Sequence, residues 1–400
     1  MVIATHDVPR AYEPLSQTAL PQRILYPPDV LEYAWYVSLI YAFLSQAWGV
    51  EIPWVGNVLR VFIAVGCVVS IWAQAGAVYK PITLALCTGA LAIAIQLFFH
   101  KESSDAWHEG IDLVVWMATL VTVQALSLRP QFLKRFALVA LGIGFASLPF
   151  IEVRTVGKVM RAWAFGTGIG NPNTLGMWFG FCVVYLVCWG LRAQSLTSRI
   201  IAWSVGVGCF YVVAISVSRA PLVASILACL VGLRSVMKRA FVPIFSLGLL
   251  ICVVIISGAF DNEIGYYTSR GTEETGREVI WRTALDRFYD SPWIGSGLGD
   301  IRVSRGGGRF INPHNGPLHI ALGAGVFPLI CFMGYLTKAV VGAFRIMRRI
   351  DEGEAILLPP LVVFALIEIM VLDYTFMFPW AVVVLGLAAK GGETTVSQKG

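Results

Sequence analysis

The sequence predicts an all-α, polytopic membrane protein with about twelve transmembrane helices and one long outer loop that carries a short amphipathic helix. Three observations lead there. Of the 400 residues, 57% are hydrophobic and only 14% are charged, whereas soluble domains carry about 25% charged residues. Mean hydropathy is +0.73 over the whole chain, so the apolar excess is global. The apolar residues also fall in long uninterrupted runs, where barrel strands would alternate apolar and polar positions.

A helix rising about 1.5 Å per residue needs about 20 residues to cross a 30 Å hydrocarbon core. Residues 1–30 lack an apolar run and are expected to be a cytoplasmic tail with no cleavable signal peptide. Nine spans follow within 31–259, near 31–50, 56–78, 82–99, 110–128, 134–150, 173–191, 200–217, 220–236 and 240–259. The loop 260–316 has no run long enough to span. Three more spans occupy 317–390, near 317–343, 355–372 and 374–390, before a second short tail at 391–400.

Lys and Arg set the orientation. With both termini inside, the inner connections hold 17 of the 30 basic residues, and the outer side apart from the long loop holds 6. Long loops count little in this rule, so inside termini are favoured. The net charge of +6 is therefore a topology signal and implies no nucleic-acid partner. All eight Cys lie in apolar segments with no C-x-x-C spacing, which argues against a disulfide framework or a zinc site.

The long loop has seven Arg (270, 277, 282, 287, 302, 305, 309), no Lys and eight acids. Arg without Lys suggests planar, bidentate recognition of phosphate or carboxylate, and an Arg–Glu laced surface is the alternative. Within it, residues 275–290 form an amphipathic pattern: Thr275 and Glu278 have capping-box spacing, and Trp281, Ala284, Leu285 and Phe288 share one face. Arg277 then lies in the first turn, where free N–H groups already favour anions. It could equally pair with Glu273 or Glu274. SPWIGSGLGD (291–300) is a compact turn without the Lys of a phosphate loop, and RGGGR (305–309) a flexible one.

NPHNGPLH (312–319) closes the loop. His314, among turn residues at a membrane boundary, suits a general base, and His319 one turn into the next helix a structural role. No metal is expected, since the sequence has no H-E-x-x-H or D-x-D spacing. Arg219 lies in the tight V-S-R-A-P turn before a short eighth span, where a charge is costly and usually functional unless it snorkels. Asp373, Glu368, Asp112 and Arg60 are further ionisable groups in apolar runs; Asp373 could orient His314. Arg154, Lys158 and Arg161, before GTGIGNPNTLG, could form an anion-attracting rim.

S-R-x-P after the seventh span, G-R-x-x-I-W (276–281), P-W-I-G-S-G-L-G (292–299) and H-N-x-x-L (314–318) together resemble the O-antigen ligase and polysaccharide polymerase family over roughly residues 160–390. The resemblance implies a C-type membrane glycosyltransferase on the periplasmic face of the bacterial inner membrane. Such an enzyme moves a glycan from an undecaprenyl-diphosphate carrier to a hydroxyl of a lipid A-core or growing-glycan acceptor, with inversion and without metal or cofactor. It further implies that Arg219 and Arg277 hold the donor diphosphate and that His314 is the base, with Asp373 matching by its position near the outer end of the eleventh span; Arg154 and Arg161 of the rim are expected to add diphosphate contacts. Where many members carry an acid before the next Gly, this chain has Ala324 before Gly325. The competing readings are a transporter or flippase for a polysaccharide or charged lipid, and a non-catalytic scaffold. A flippase would use the intramembrane charges and typically an internal repeat; none is evident between the two halves.

Overall fold

The computed structural model describes residues 29–44, 53–73, 80–100, 106–126, 131–156, 159–234, scattered positions between 242 and 253, 277–304, 310–347, 357–369 and 379–391. The expected ninth span lies mostly outside the described residues, as do Glu273, Glu274, Thr275, the 305–309 turn, Lys158 and Asp373.

The described chain is mostly helical. Helices α1 (Val30–Leu44), α2 (Pro53–Ala73), α3 (Lys80–Phe99), α4 (Ala106–Leu126) and α5 (Phe132–Ser147) come first, and α5 continues into a 3₁₀ turn at Leu148–Phe150. Next come α6 (Pro172–Arg192), α7 (Leu196–Ile215) and α8 (Arg219–Leu233). In the C-terminal half are α9 (Arg277–Asp290), α10 (Gly316–Ala324), α11 (Val326–Met347), α12 (Leu358–Ile369) and α13 (Pro379–Gly391). Among the described residues, five helical segments are long and apolar enough to cross a membrane: Ile82–Phe99, Phe132–Phe150, Pro172–Arg192, Leu196–Ile215 and Val326–Ile346.

Two departures from an all-α expectation are informative. Residues expected to form an irregular outer loop instead make an antiparallel hairpin of β1 (Ile151–Val156) and β2 (Val159–Ala164), with Arg154 opposite Arg161. Four of the six residues of strand β1, IEVRTV, are β-branched, which suits a pleated surface. On β2, Ala162 and Ala164 are fully buried between the more exposed Arg161 and Trp163, the period-2 burial of a strand with one face on the core. A second small hairpin pairs β3 (Val303–Ser304) with β4 (Phe310–Ile311). The expected single span 317–343 is also broken. Gly325, at φ 79°, separates α10 from α11, and the carbonyl of Trp293 approaches so closely that a Cβ there would lie 2.2 Å from its oxygen.

Helix α6 is the centre of the bundle: fifteen of its 21 residues are buried, including Trp178, Phe179 and Phe181. Gly176 and Gly180, four apart, let neighbours approach its backbone; added Cβ atoms would come within 2.7 Å of Ser216 Oγ and of Ser225 Oγ. Trp178 donates its indole N–H to the carbonyl of Ala140 on α5 at 2.8 Å. By contrast α7 exposes Ile200, Ile201, Trp203, Val207 and Tyr211, an apolar outer stripe fit for lipid.

The end of α1, the start of α6 and the α7–α8 turn come together at one end of the bundle. Phe43, near the end of α1, accepts a backbone hydrogen bond from Gly168. At the other end, the starts of α1 and α5 meet through Glu32 and Arg135, both buried. Arg135 Nε and Nη2 donate to the two Glu32 carboxylate oxygens at 2.8 and 2.7 Å, and the Tyr36 hydroxyl donates to Glu32 Oε1 at 2.6 Å.

Candidate functional site

The α7–α8 turn carries Arg219 as the first residue of α8. Val217 in this turn has φ 50°, a left-handed conformation that a β-branched residue adopts only under constraint. The constraint is visible. Ser218 occupies the N-cap position of α8 without capping it. Its hydroxyl instead donates to Asn173 Oδ1 at 2.8 Å and accepts from Arg161 Nη2 at 3.0 Å. Arg161 Nη2 also donates to Asn173 Oδ1 at 3.0 Å, and its Nε to the Ser216 carbonyl at 3.0 Å. Strand β2, the first turn of α6 and the Arg219 turn are thereby tied together. The first turn of α6 is itself set by Asn171, whose side chain accepts from the Asn173 N–H at 2.9 Å.

Arg154, opposite Arg161 in the hairpin, makes different contacts. Its guanidinium pairs with Glu152 at 2.6 Å and lies 3.9 Å over the Phe165 ring, with Arg154 and Glu152 side chains both 55% exposed. Phe165 in turn stacks on Trp163.

The second assembly is built on α9. Its buried face is Ile280 and Ala284, packed with Ile301, Val303 and Leu322; Trp281 and Phe288 flank them. Leu285, expected on this face, is 41% exposed, because the inward row runs through buried Ile280 and Ala284 to half-buried Phe288 and leaves 285 beyond its edge. Trp281 donates its indole N–H to the carbonyl of Pro313 at 2.8 Å, fastening α9 to the residue before His314. Arg277, the first residue of α9, sits one turn before Trp281, about 6 Å along the axis.

His314 is half-buried with φ 47°. Asn315 caps α10, its side chain accepting from the Leu318 N–H at 3.0 Å. His319 is fully buried, with Nε2 3.6 Å from Glu109 Oε2 at the start of α4. The His314 segment is thus bounded by the Trp281 bond on one side and a capped helix on the other, a rigid mount for a single imidazole.

The glycine turn after α9 is a structural joint. Leu298 N–H donates to Gln96 Oε1 at 2.7 Å, His100 Nε2 lies 3.2 Å from the Ile294 carbonyl, and Ser296 N–H donates to Leu322 O at 2.6 Å. Gly295 has φ 65°, and a Cβ there would lie 2.4 Å from Leu322 O. Arg287, one of the seven loop arginines, is engaged inside this joint with Asp300, Ser296 and the Arg302 carbonyl.

The structure therefore brings Arg161 to the turn that bears Arg219, and the first turns of α9 to the segment that bears His314. Sequence reasoning missed Asn173, Ser216 and Ser218, although Ser218 lies in the V-S-R-A-P motif that drew attention to Arg219 and Ser216 immediately precedes it. Replacing Trp281 with Phe keeps the packing and leaves the Pro313 carbonyl without its donor. It should cost about 1 kcal/mol of stability, read as a lower midpoint in thermal unfolding.

Comparison with known proteins fits this geometry. Residues 204–333 match the family model described as O-antigen ligase. The matched segment runs from within α7 through the Arg219 turn, α9, the glycine joint and His314 into α11. No curated protein matches the chain.

Proposed function

We propose that this chain, whose residues 204–333 match the O-antigen ligase family model, transfers a glycan from an undecaprenyl-diphosphate carrier to an acceptor hydroxyl. Five helical segments apolar and long enough to cross a membrane, together with the ligase-family match, support a membrane protein of polysaccharide synthesis. The observation that supports it best is local rigidity. The two segments carrying Arg219 and His314 each hold a non-glycine residue at positive φ, Val217 and His314 itself, and each is fastened by side-chain hydrogen bonds from another element.

In the proposed reaction His314 takes the proton of the acceptor hydroxyl as its oxygen bonds to the anomeric carbon. The bond from that carbon to the diphosphate oxygen breaks, and its electron pair leaves on the undecaprenyl diphosphate. Arg219 and Arg277 stabilise the charge that develops there, the task a bound cation performs in other transferases. Attack opposite the leaving group inverts the anomeric centre. Asp373 is assigned to orient His314, and the carrier's isoprenoid tail remains in the bilayer.

Deletion of the gene with analysis of surface glycans on gels tests the reading and divides its forms. Loss of all capped lipopolysaccharide assigns a ligase, loss of long chains alone a polymerase, and loss of a secreted polymer an exopolysaccharide enzyme. Unchanged glycans in all three fractions would contradict it.

A further inference from the structure

We propose that Arg161, Asn173 and Ser218 form a clamp that positions Arg219, so that Arg161 serves the diphosphate site by holding its turn and not by touching phosphate. The inference rests on the reading of Arg219 as a donor ligand. Two of the three clamp residues' elements, β2 and the start of α6, lie outside the segment that matches the ligase family, so the clamp ties that segment to a part of the chain the match does not reach.

A guanidinium that grips phosphate presents two parallel N–H groups along one edge. In Arg161 the Nε/Nη2 edge is committed to the protein itself: a carbonyl at Ser216, an amide oxygen at Asn173 and a hydroxyl at Ser218, each at 3.0 Å. Ser216 and Ser218 are buried, at 0% and 2% exposure. Between them Val217 holds φ 50°, a conformation that persists only when its surroundings determine it. Seated against α6 at Gly176, where a Cβ would come within 2.7 Å of Ser216 Oγ, the turn has little room to relax while the clamp is intact. Without it, Ser218 is free to take up the ordinary N-cap role on α8, and the start of α8, which is Arg219, shifts with it.

Steady-state transfer by purified protein with lipid-linked donor tests this. Arg161→Lys keeps the charge but not the fork, and should lower kcat/KM about a hundred-fold, as far as Arg161→Ala does. Ser218→Ala and Asn173→Ala should also lose activity, Ser218→Thr should recover it, and Arg161→Ala with Ser218→Ala should lose no more than Arg161→Ala alone. The loss should fall on kcat and the donor KM, with the acceptor KM unchanged. A nearly active Arg161→Lys beside a harmless Ser218→Ala would overturn the clamp and make Arg161 a direct phosphate contact. Should Asn173→Ala fail to fold, the Ser218 pair decides. Arg219→Ala separates the two claims: if it stays active the donor reading falls, and if it is inactive while the clamp variants are active only the clamp falls.

Discussion

Replacing His314 with alanine should lower glycan transfer by about 10²–10⁴-fold while the protein still accumulates in the membrane. The imidazole is assigned the proton of the acceptor hydroxyl, so its loss removes the base without removing donor contacts. Backbone conformation must be separated from chemistry, since His314 holds φ 47° and histidine, unlike alanine, is enriched in that region. Asparagine tolerates the left-handed region well. His314→Asn therefore preserves the mount and removes the base, and it should be as inactive as alanine. Mass spectrometry of the transferred product reads the result. An asparagine variant near full activity would remove His314 from the chemistry.

Replacing Glu32 with alanine should destabilise the protein by about 3–5 kcal/mol, the cost of leaving a buried charge without its partner. Glu32 is 0% and Arg135 5% exposed, and the carboxylate takes two guanidinium bonds and the Tyr36 hydroxyl. Alanine strands the Arg135 guanidinium between α1 and α5. Glu32→Leu combined with Arg135→Met removes both charges and should restore most of the stability, as apolar replacement of a buried pair usually does. Thermal unfolding in detergent measures both. The pair lies at the end of the bundle opposite the Arg219 turn, so the folded fraction of either variant should still transfer glycan. A Glu32→Ala protein that melts with the native midpoint would contradict the burial described.

What could be seen in advance follows from range. Features carried by neighbours in sequence were legible: the apolar runs of α3, α6 and α7, the amphipathic α9, and the turn character of 291–300. Within α9 the period was right, yet Leu285 was placed on the wrong side because the register depends on what packs there, Ile301, Val303 and Leu322. The break at Gly325 was hidden in a continuous apolar run, since it arises from the Trp293 carbonyl packed against it. The β1–β2 hairpin was read as loop because its polar face carries Glu152, Arg154 and Arg161, residues that resemble a solvated connection.

Ion pairs across the fold were the least legible. Arg135 counted as a cytoplasmic positive charge, and nothing nearby in sequence pointed to Glu32, 103 residues away. Arg161 looked like part of a cationic rim beside Arg154. In the structure the two part company: Arg154 stays on the hairpin surface with Glu152, and Arg161 reaches partners 12, 55 and 57 residues distant. A basic residue near an expected anion site is thus an incomplete signal, because the same guanidinium can be satisfied by carbonyls and hydroxyls of the chain.

Purified protein in lipid nanodiscs, given an undecaprenyl-diphosphate-linked glycan and an acceptor, tests the central claim most directly. Each glycan transferred should release one undecaprenyl diphosphate, and Arg219→Ala and Arg277→Ala should release none above background. Acceptor left unmodified and carrier left intact by well-folded protein, or full turnover by either arginine variant, would contradict it.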